Sequence, residues 1–126
     1  MNKNLIITIV LSTLGVLLAQ PDWEDNPGAY EFTATIVGGV VLSDGVLLAE
    51  EGDLFAAFDG DGNVRGIATQ QIPTGGPYSG EFVYEMTMRS NAAGDLLSFK
   101  YYDASEDEVR ILPKHMNLLS MTRLVP

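Results

Sequence analysis

The sequence predicts an all-β protein, an Ig-like (immunoglobulin-like) antiparallel β-sandwich of seven to eight short strands. Apolar and polar residues alternate with a period of two in several segments, turn-forming residues recur about every eight to twelve positions, and no stretch has helical periodicity. Short strands at this spacing are typical of a sandwich or a barrel, and the Ig-like sandwich is our first choice. The 126 residues are enough for one domain with its own core.

Residues 1–19 have the pattern of a secretory signal peptide. Lys3 precedes an apolar run from Leu5 to Leu18, and Ala19 is a small residue suited to cleavage before Gln20. The run is shorter than the roughly 20 residues of a membrane span, although an uncleaved N-terminal anchor is the alternative. We therefore expect a secreted protein, extracellular or at the cell surface, that meets a membrane only through its signal peptide during export.

The net charge and the absence of cysteine limit the kinds of partner and covalent linkage that we expect for this protein. Without residues 1–19 the chain has 6 basic and 17 acidic residues, a net charge of −11. This balance opposes binding to nucleic acid or to anionic lipid, which needs clustered Lys and Arg. The chain has no Cys, so neither a disulfide nor a cysteine-linked lipid anchor is expected.

Residues 20–29 predict an extended N-terminal arm. Pro21 and Pro27 oppose a helix and bias the residues before them toward extended conformations. The arm contains the single tryptophan, Trp23, whose large ring needs a surface to cover. That surface is either the edge of its own domain or a neighbouring molecule.

The sandwich domain, residues 30–126, begins with an alternating strand. One face of this strand carries Tyr30, Phe32, Ala34 and Ile36. Gly38 and Gly39 then predict a bulge. Residues 40–42 and 46–48 predict two short strands joined by a turn at 43–45.

The central feature is a hairpin from Asp53 to Gly66. The apolar segment Leu54–Phe58 is followed by an Asp- and Gly-rich turn, and a return strand runs from Val64 to about Gln70. Glycine supplies the positive φ angles of such a turn because it has no Cβ to clash.

The second half of the chain continues the same pattern. After a loop at 72–80, alternating strands are predicted at 81–89 and 95–103, and a short strand at 109–112 that ends at Pro113. The inward-facing residues of the two long strands are Phe82, Tyr84, Met86, Met88, Leu97, Phe99 and Tyr101. Residues 115–126 could form a last strand or a short helix, and we favour the strand.

Several of these motifs together resemble a β-sandwich module of secreted bacterial surface proteins. The matching segments are Asp53-Leu-Phe-Ala-Ala-Phe58, Arg65-Gly66, Tyr84 with Met86, Ser90-Asn91 and Leu97-Ser-Phe-Lys-Tyr-Tyr-Asp103. They cover about half of the chain. The resemblance implies a secreted Ig-like module and little about ligands. This chain is a single short module without the usual C-terminal extension, which suggests a self-assembling subunit.

Few residues suggest chemistry. Asp59, Asp61 and Asn63 have the spacing that opens a calcium loop, but Val64 and Gln70 stand where that loop needs Gly and Glu. An exposed turn or a weak cation site are the alternatives. We expect Asp53 and Arg65 to form a structural pair. The acidic turn at 103–108 is expected to be solvated. His115, the single histidine, is expected to be a tail residue. No nucleophile motif, phosphate loop or metal spacing is present, so we expect no enzyme activity, cofactor or metal.

Two functions fit these expectations. The first is a structural subunit that polymerises with copies of itself into a pilus-like fibre, donating its N-terminal segment to a neighbour's sheet. Its interface anchors would be Trp23, Tyr30, Phe32 and Ile36. The second is a surface module that binds glycans through exposed aromatic rings, for which the candidates are Trp23, Tyr78, Tyr101 and Tyr102. Deleting residues 20–29 should leave a folded protein that does not assemble.

Overall fold

The computed structural model describes residues 20–92 and 94–117. Within them the chain forms a short 3-10 turn, Pro27–Ala29, and nine strands. The strands are β1 Phe32–Gly39, β2 Leu42–Ser43, β3 Val46–Leu47, β4 Leu54–Phe58, β5 Val64–Ile67, β6 Thr69–Gln71, β7 Val83–Ser90, β8 Leu96–Asp103 and β9 Glu108–Asn117. The predicted signal peptide lies outside the described residues.

The strands build an antiparallel β-sandwich, which confirms the all-β prediction. One sheet has the order β1-β7-β6 and the other the order β5-β4-β8-β9, while β2 and β3 form a separate hairpin. The core between the sheets is made by the inward-facing residues of the long strands. They are Phe55, Ala57, Tyr84, Met86, Met88, Leu97, Phe99 and Tyr101, joined by Val41.

The alternation predicted for the long strands is confirmed from Tyr84 onward, because every second residue of β7 and β8 faces the core. Phe82, which was predicted to face inward as well, precedes β7 and is not part of the core cluster. Tyr84, Met86 and Met88 are at most 1% exposed, and the residues between them are half-buried. The central hairpin is confirmed as well, since β4 pairs with β5 across the turn that contains Gly62 at φ +84°. The bulge predicted at Gly38 and Gly39 appears as a register shift between Ile36 and Gly39.

The return strand of the hairpin passes from one sheet to the other. Ile67 pairs with Ala56 of β4, and Thr69 pairs with Glu85 of β7, so the change of sheet falls at Ala68. The two backbones approach closely here: a Cβ on Gly66 would lie 2.6 Å from the carbonyl oxygen of Thr87. This corner joins the two sheets on one side of the sandwich.

The last strand differs from the prediction. It was expected to end at Pro113, but β9 continues to Asn117. Ser98 pairs with His115 while Phe99 pairs with Leu112, so Pro113 and Lys114 form a bulge in the ladder. Proline lacks an N–H, and a bulge on an edge strand is one of the few places in a sheet where it fits. The strand favoured for residues 115–126 is present as far as Asn117, and residues 118–126 lie outside the described residues.

Candidate functional site

An apolar groove of about 370 Å³ lies between the two sheets. It lies on the side where β1 and β9 are the outermost strands of their sheets. The β2/β3 hairpin adjoins it, because Leu42 lines the groove and the hydroxyl of Ser43 accepts a hydrogen bond from Arg110 of β9. Its walls include core side chains of both sheets. The lining is largely apolar and includes Ile36, Val41, Leu42, Phe55, Phe99 and Leu112.

The two strands beside this groove each have a free edge. Among the described strands β1 pairs with β7 alone, and β9 with β8 alone. A strand that lacks a partner on one side presents a row of N–H and C=O groups that another extended segment can bind. We call the apolar groove together with these two edges the β1/β9 groove. On this side, two strand edges without a paired neighbour lie beside an apolar cavity.

Sequence reasoning did not identify the β1/β9 groove. Strands β1 and β9 are some 70 residues apart, and their neighbourhood depends on strand order, which the local pattern does not reveal. One signal was available, because Pro113 inside an apolar run indicates an edge strand rather than a central one. In the structure this proline lies in a bulge of β9 and does not end the strand.

The N-terminal arm packs against its own domain. The ring of Trp23 contacts Phe58 edge-to-face, with centroids 5.2 Å apart. Asp25 forms a salt bridge with Arg89 of β7. Of the two surfaces considered for Trp23, the structure places it on the edge of its own domain.

Two of the other three predicted interface residues, Tyr30 and Ile36, also contact their own domain. The ring of Tyr30 lies 4.1 Å below the guanidinium of Arg65, and Asn91 binds the backbone on both sides of Tyr30. Ile36 packs against the core from β1. Phe32 is 40% exposed and lies on the same face of β1 as Ile36. The segment proposed as donor is therefore occupied within its own subunit.

A buried polar network fixes the loop that leads into β4. The side-chain amide of Gln70 donates to the hydroxyl of Tyr84, which lies 2.8 Å from the hydroxyl of Tyr101. Tyr101 donates to the carboxylate of Asp53, which also accepts the N–H groups of Glu50 and Ala104. Burial is the largest cause that raises the pKa of the Tyr101 hydroxyl well above its ordinary value, and the hydrogen bond to Asp53 is the second. Tyr101 therefore stays a neutral donor.

The expected pair between Asp53 and Arg65 does not form. Arg65 binds Asp59 instead, with a guanidinium nitrogen 2.9 Å from the carboxylate. In the antiparallel hairpin Arg65 lies at the turn end of β5, whereas Asp53 precedes the opposite end of β4. Both carboxylates make structural contacts, Asp59 with Arg65 and Asp53 with Tyr101.

Of the three candidate cation ligands, Asp59 has its carboxylate bound by the turn itself. Asp59 accepts the N–H groups of Asp61 and Asn63, the amide of Asn63 and the Nε–H of Arg65. Burial acts to raise the pKa of Asp59, but these hydrogen bonds outweigh it and hold the pKa below its ordinary value. Four donors, one of them from the guanidinium of Arg65, leave little room for a cation at Asp59. In residues 20–92 and 94–117 no group of three His, Cys, Asp or Glu side chains is placed to hold a metal ion.

The acidic turn after β8 is only partly solvated, which corrects the prediction. Glu106 and Glu108 are exposed, but Asp103 is 6% exposed and binds Ser105, the N–H of Glu106 and Arg110. The hydrogen bond from Ser105 is the main cause that lowers the pKa of Asp103. His115 lies in β9, opposite Ser98.

The rings suggested for sugar binding do not form a platform. Tyr101 is fully buried in the core, and Tyr102 is 6% exposed. Trp23 is half-buried against Phe58, and Tyr78 is exposed in a separate loop. A flat sugar-stacking surface needs several exposed rings on one face, and these four residues do not provide it.

Comparison with protein-family models, with curated proteins and with solved structures finds no match. In the part of the chain that the structure describes, no helix is long and apolar enough to span a membrane.

Proposed function

We propose that this protein is a secreted structural subunit that polymerises with copies of itself into an extracellular pilus-like fibre, each subunit receiving an extended segment of a neighbour in its β1/β9 groove. The observation that carries the proposal is the groove itself, in which two free strand edges flank an apolar cavity of about 370 Å³. A strand laid there would gain main-chain hydrogen bonds and would bury alternate side chains against Phe55 and Phe99.

The β1/β9 groove, which would accept a segment of a neighbour, supports this function, whereas the N-terminal arm does not. Residues 20–39 pack on or within their own domain, so the N-terminal segment is not free to act as the donor. The absence of Cys is compatible with assembly through strand pairing, since no disulfide is needed. A contact of this kind is head-to-tail and does not close on itself, and repeated copies therefore give a filament.

The test is imaging of the exported protein by negative-stain electron microscopy, with sedimentation velocity over a range of concentrations. Mass spectrometry of the same sample reports whether the chain begins at Gln20. We expect filaments and a concentration-dependent mass. A protein that stays monomeric at every concentration would overturn the proposal, and a monomer that binds insoluble polysaccharide would favour the carbohydrate-binding alternative.

A matched pair of variants tests whether filament assembly depends on the β1/β9 groove. Leu42 lines the groove and is 52% exposed, so Leu42→Asp should place a charge at the entrance without disturbing the core. Val46 belongs to the same hairpin, is 66% exposed and does not line the groove. Leu42→Asp should abolish filaments, whereas Val46→Asp should retain them. Equal assembly of both variants would show that the groove is not the acceptor.

A further inference from the structure

An extended segment that fills the β1/β9 groove must meet two requirements. Its inward-facing side chains must be apolar, because they would contact Ile36, Phe55, Phe99 and Leu112. Its backbone must be free to pair with β1 or β9. Residues 20–39 fail the second requirement, because the arm is bound by Arg89 and Asn91 and β1 already pairs with β7.

Residues 118–126 read Leu-Leu-Ser-Met-Thr-Arg-Leu-Val-Pro, and they meet the first requirement as far as position 122. In an extended chain alternate side chains share a face, so Leu119 and Met121 would point one way and Ser120 and Thr122 the other. Arg123 shares the face of Met121, so the part of the segment that enters the groove would end before it. Nine extended residues span about 30 Å, close to the length of the ten-residue strand β9.

The charge of this end of the chain complements the rest of the protein. Residues 114–126 contain Lys114, His115 and Arg123 and none of the 17 acidic residues. The remainder of the exported chain holds all of those acids and only four basic residues. Opposite charges favour the approach of residues 114–126 to another subunit, and Arg123 is the basic residue that lies within 118–126 itself, while the acidic bodies repel each other.

The chain direction favours a second copy over the same chain. Strand β9 ends at Asn117, which pairs with Leu96. This end lies beyond Leu112 and Pro113, the residues of β9 that line the groove. To return to its own groove the chain would have to reverse directly after Asn117. Tight reversals between antiparallel strands are built mainly with glycine, and residues 116–119 contain none. A segment that continues in the direction of β9 leads away from its own subunit.

We propose that residues 118–126 of one copy of this chain occupy the β1/β9 groove of a second copy, with Leu119 and Met121 facing its core. This proposal rests on the proposed function and names the donor segment for it. Each subunit then gives its C-terminal segment to one neighbour and accepts that of another.

The first experiment compares two double variants of the full exported chain. Leu119→Asp/Met121→Asp places charges on the face proposed to enter the groove, and Ser120→Asp/Thr122→Asp places the same charges on the other face. We expect the first variant to be monomeric by sedimentation velocity and the second to form filaments. Filaments from the first variant would overturn the donor assignment while leaving the proposed function standing. Filaments from neither variant would overturn the assignment of the facing residues.

The second experiment separates donor from acceptor by mixing. Leu42→Asp has a blocked groove and an intact C-terminal segment, and Leu119→Asp/Met121→Asp has the reverse. Each alone should be a monomer, whereas an equimolar mixture should form a 1:1 heterodimer that grows no further. A mixture that stays monomeric would overturn the donor assignment if the unmodified protein forms filaments. A monomeric unmodified protein would overturn the proposed function itself.

Discussion

The hydroxyl of Tyr101 lies 2.5 Å from a carboxylate oxygen of Asp53, and both residues are buried. This hydrogen bond joins the centre of β8 to the loop before β4. The carbonyl oxygen of Leu48, 2.9 Å from the same hydroxyl, is a second acceptor in that loop. A buried carboxylate needs several donors, and the protein supplies them from Tyr101, Glu50 and Ala104.

Tyr101→Phe should lower the free energy of unfolding by about 1–3 kcal/mol, because Asp53 would keep its buried carboxylate but lose a donor. Urea unfolding measures the change. Tyr78→Phe is the matched control, since Tyr78 lies on an exposed loop, and it should have an effect below about 0.5 kcal/mol. Equal stability of the two variants would contradict the role given to the network.

Asp59→Asn should lower stability at neutral pH and flatten its dependence on pH. The pKa of Asp59 is lowered below 3.8 in the folded protein, so its contribution is complete above that value and is lost as the pH falls through the folded pKa. Thermal unfolding between about pH 2 and pH 7 measures both effects. Asp61→Asn makes the same charge change at an exposed side chain, and we expect the acid-dependent loss of stability to remain in that variant.

Gly66→Ala should destabilise the protein by about 2–3 kcal/mol, because the new methyl group would be forced against the backbone of β7. The added Cβ would lie 2.6 Å from the carbonyl oxygen of Thr87 and 3.2 Å from the Cα of Met88. Gly60→Ala is the control, since a Cβ there meets no atom within 4 Å. Differential scanning calorimetry of both variants gives the comparison, and a stable Gly66→Ala protein would contradict the close approach of the two sheets.

Trp23→Ala should lower the free energy of unfolding by about 1–2 kcal/mol, because it removes the ring that covers Phe58, and should leave filament formation intact. Chemical denaturation measures the first effect and electron microscopy the second. Trp23→Phe, which keeps an aromatic ring on Phe58, should recover part of the stability. Loss of filaments in Trp23→Ala at a concentration where the protein is folded would return the donor role to the N-terminal arm.

The short-range pattern of the sequence determined the strands and their inner faces. Alternation in β7 and β8 correctly assigned Tyr84, Met86, Leu97 and Phe99 to the core, because side chains alternate along a strand whatever its neighbours are. The turn between β4 and β5 could be predicted for the same local reason, since its Asp and Gly residues favour that backbone conformation.

The tertiary structure alone decided which residues meet across the chain. Arg65 has two carboxylates within reach along the sequence, and the antiparallel register gives it Asp59 and leaves Asp53 to Tyr101. The β1/β9 groove exists because the strand orders place β1 and β9 at the same side of the sandwich. Strand order depends on contacts between distant segments, which the local alternation of side chains does not encode.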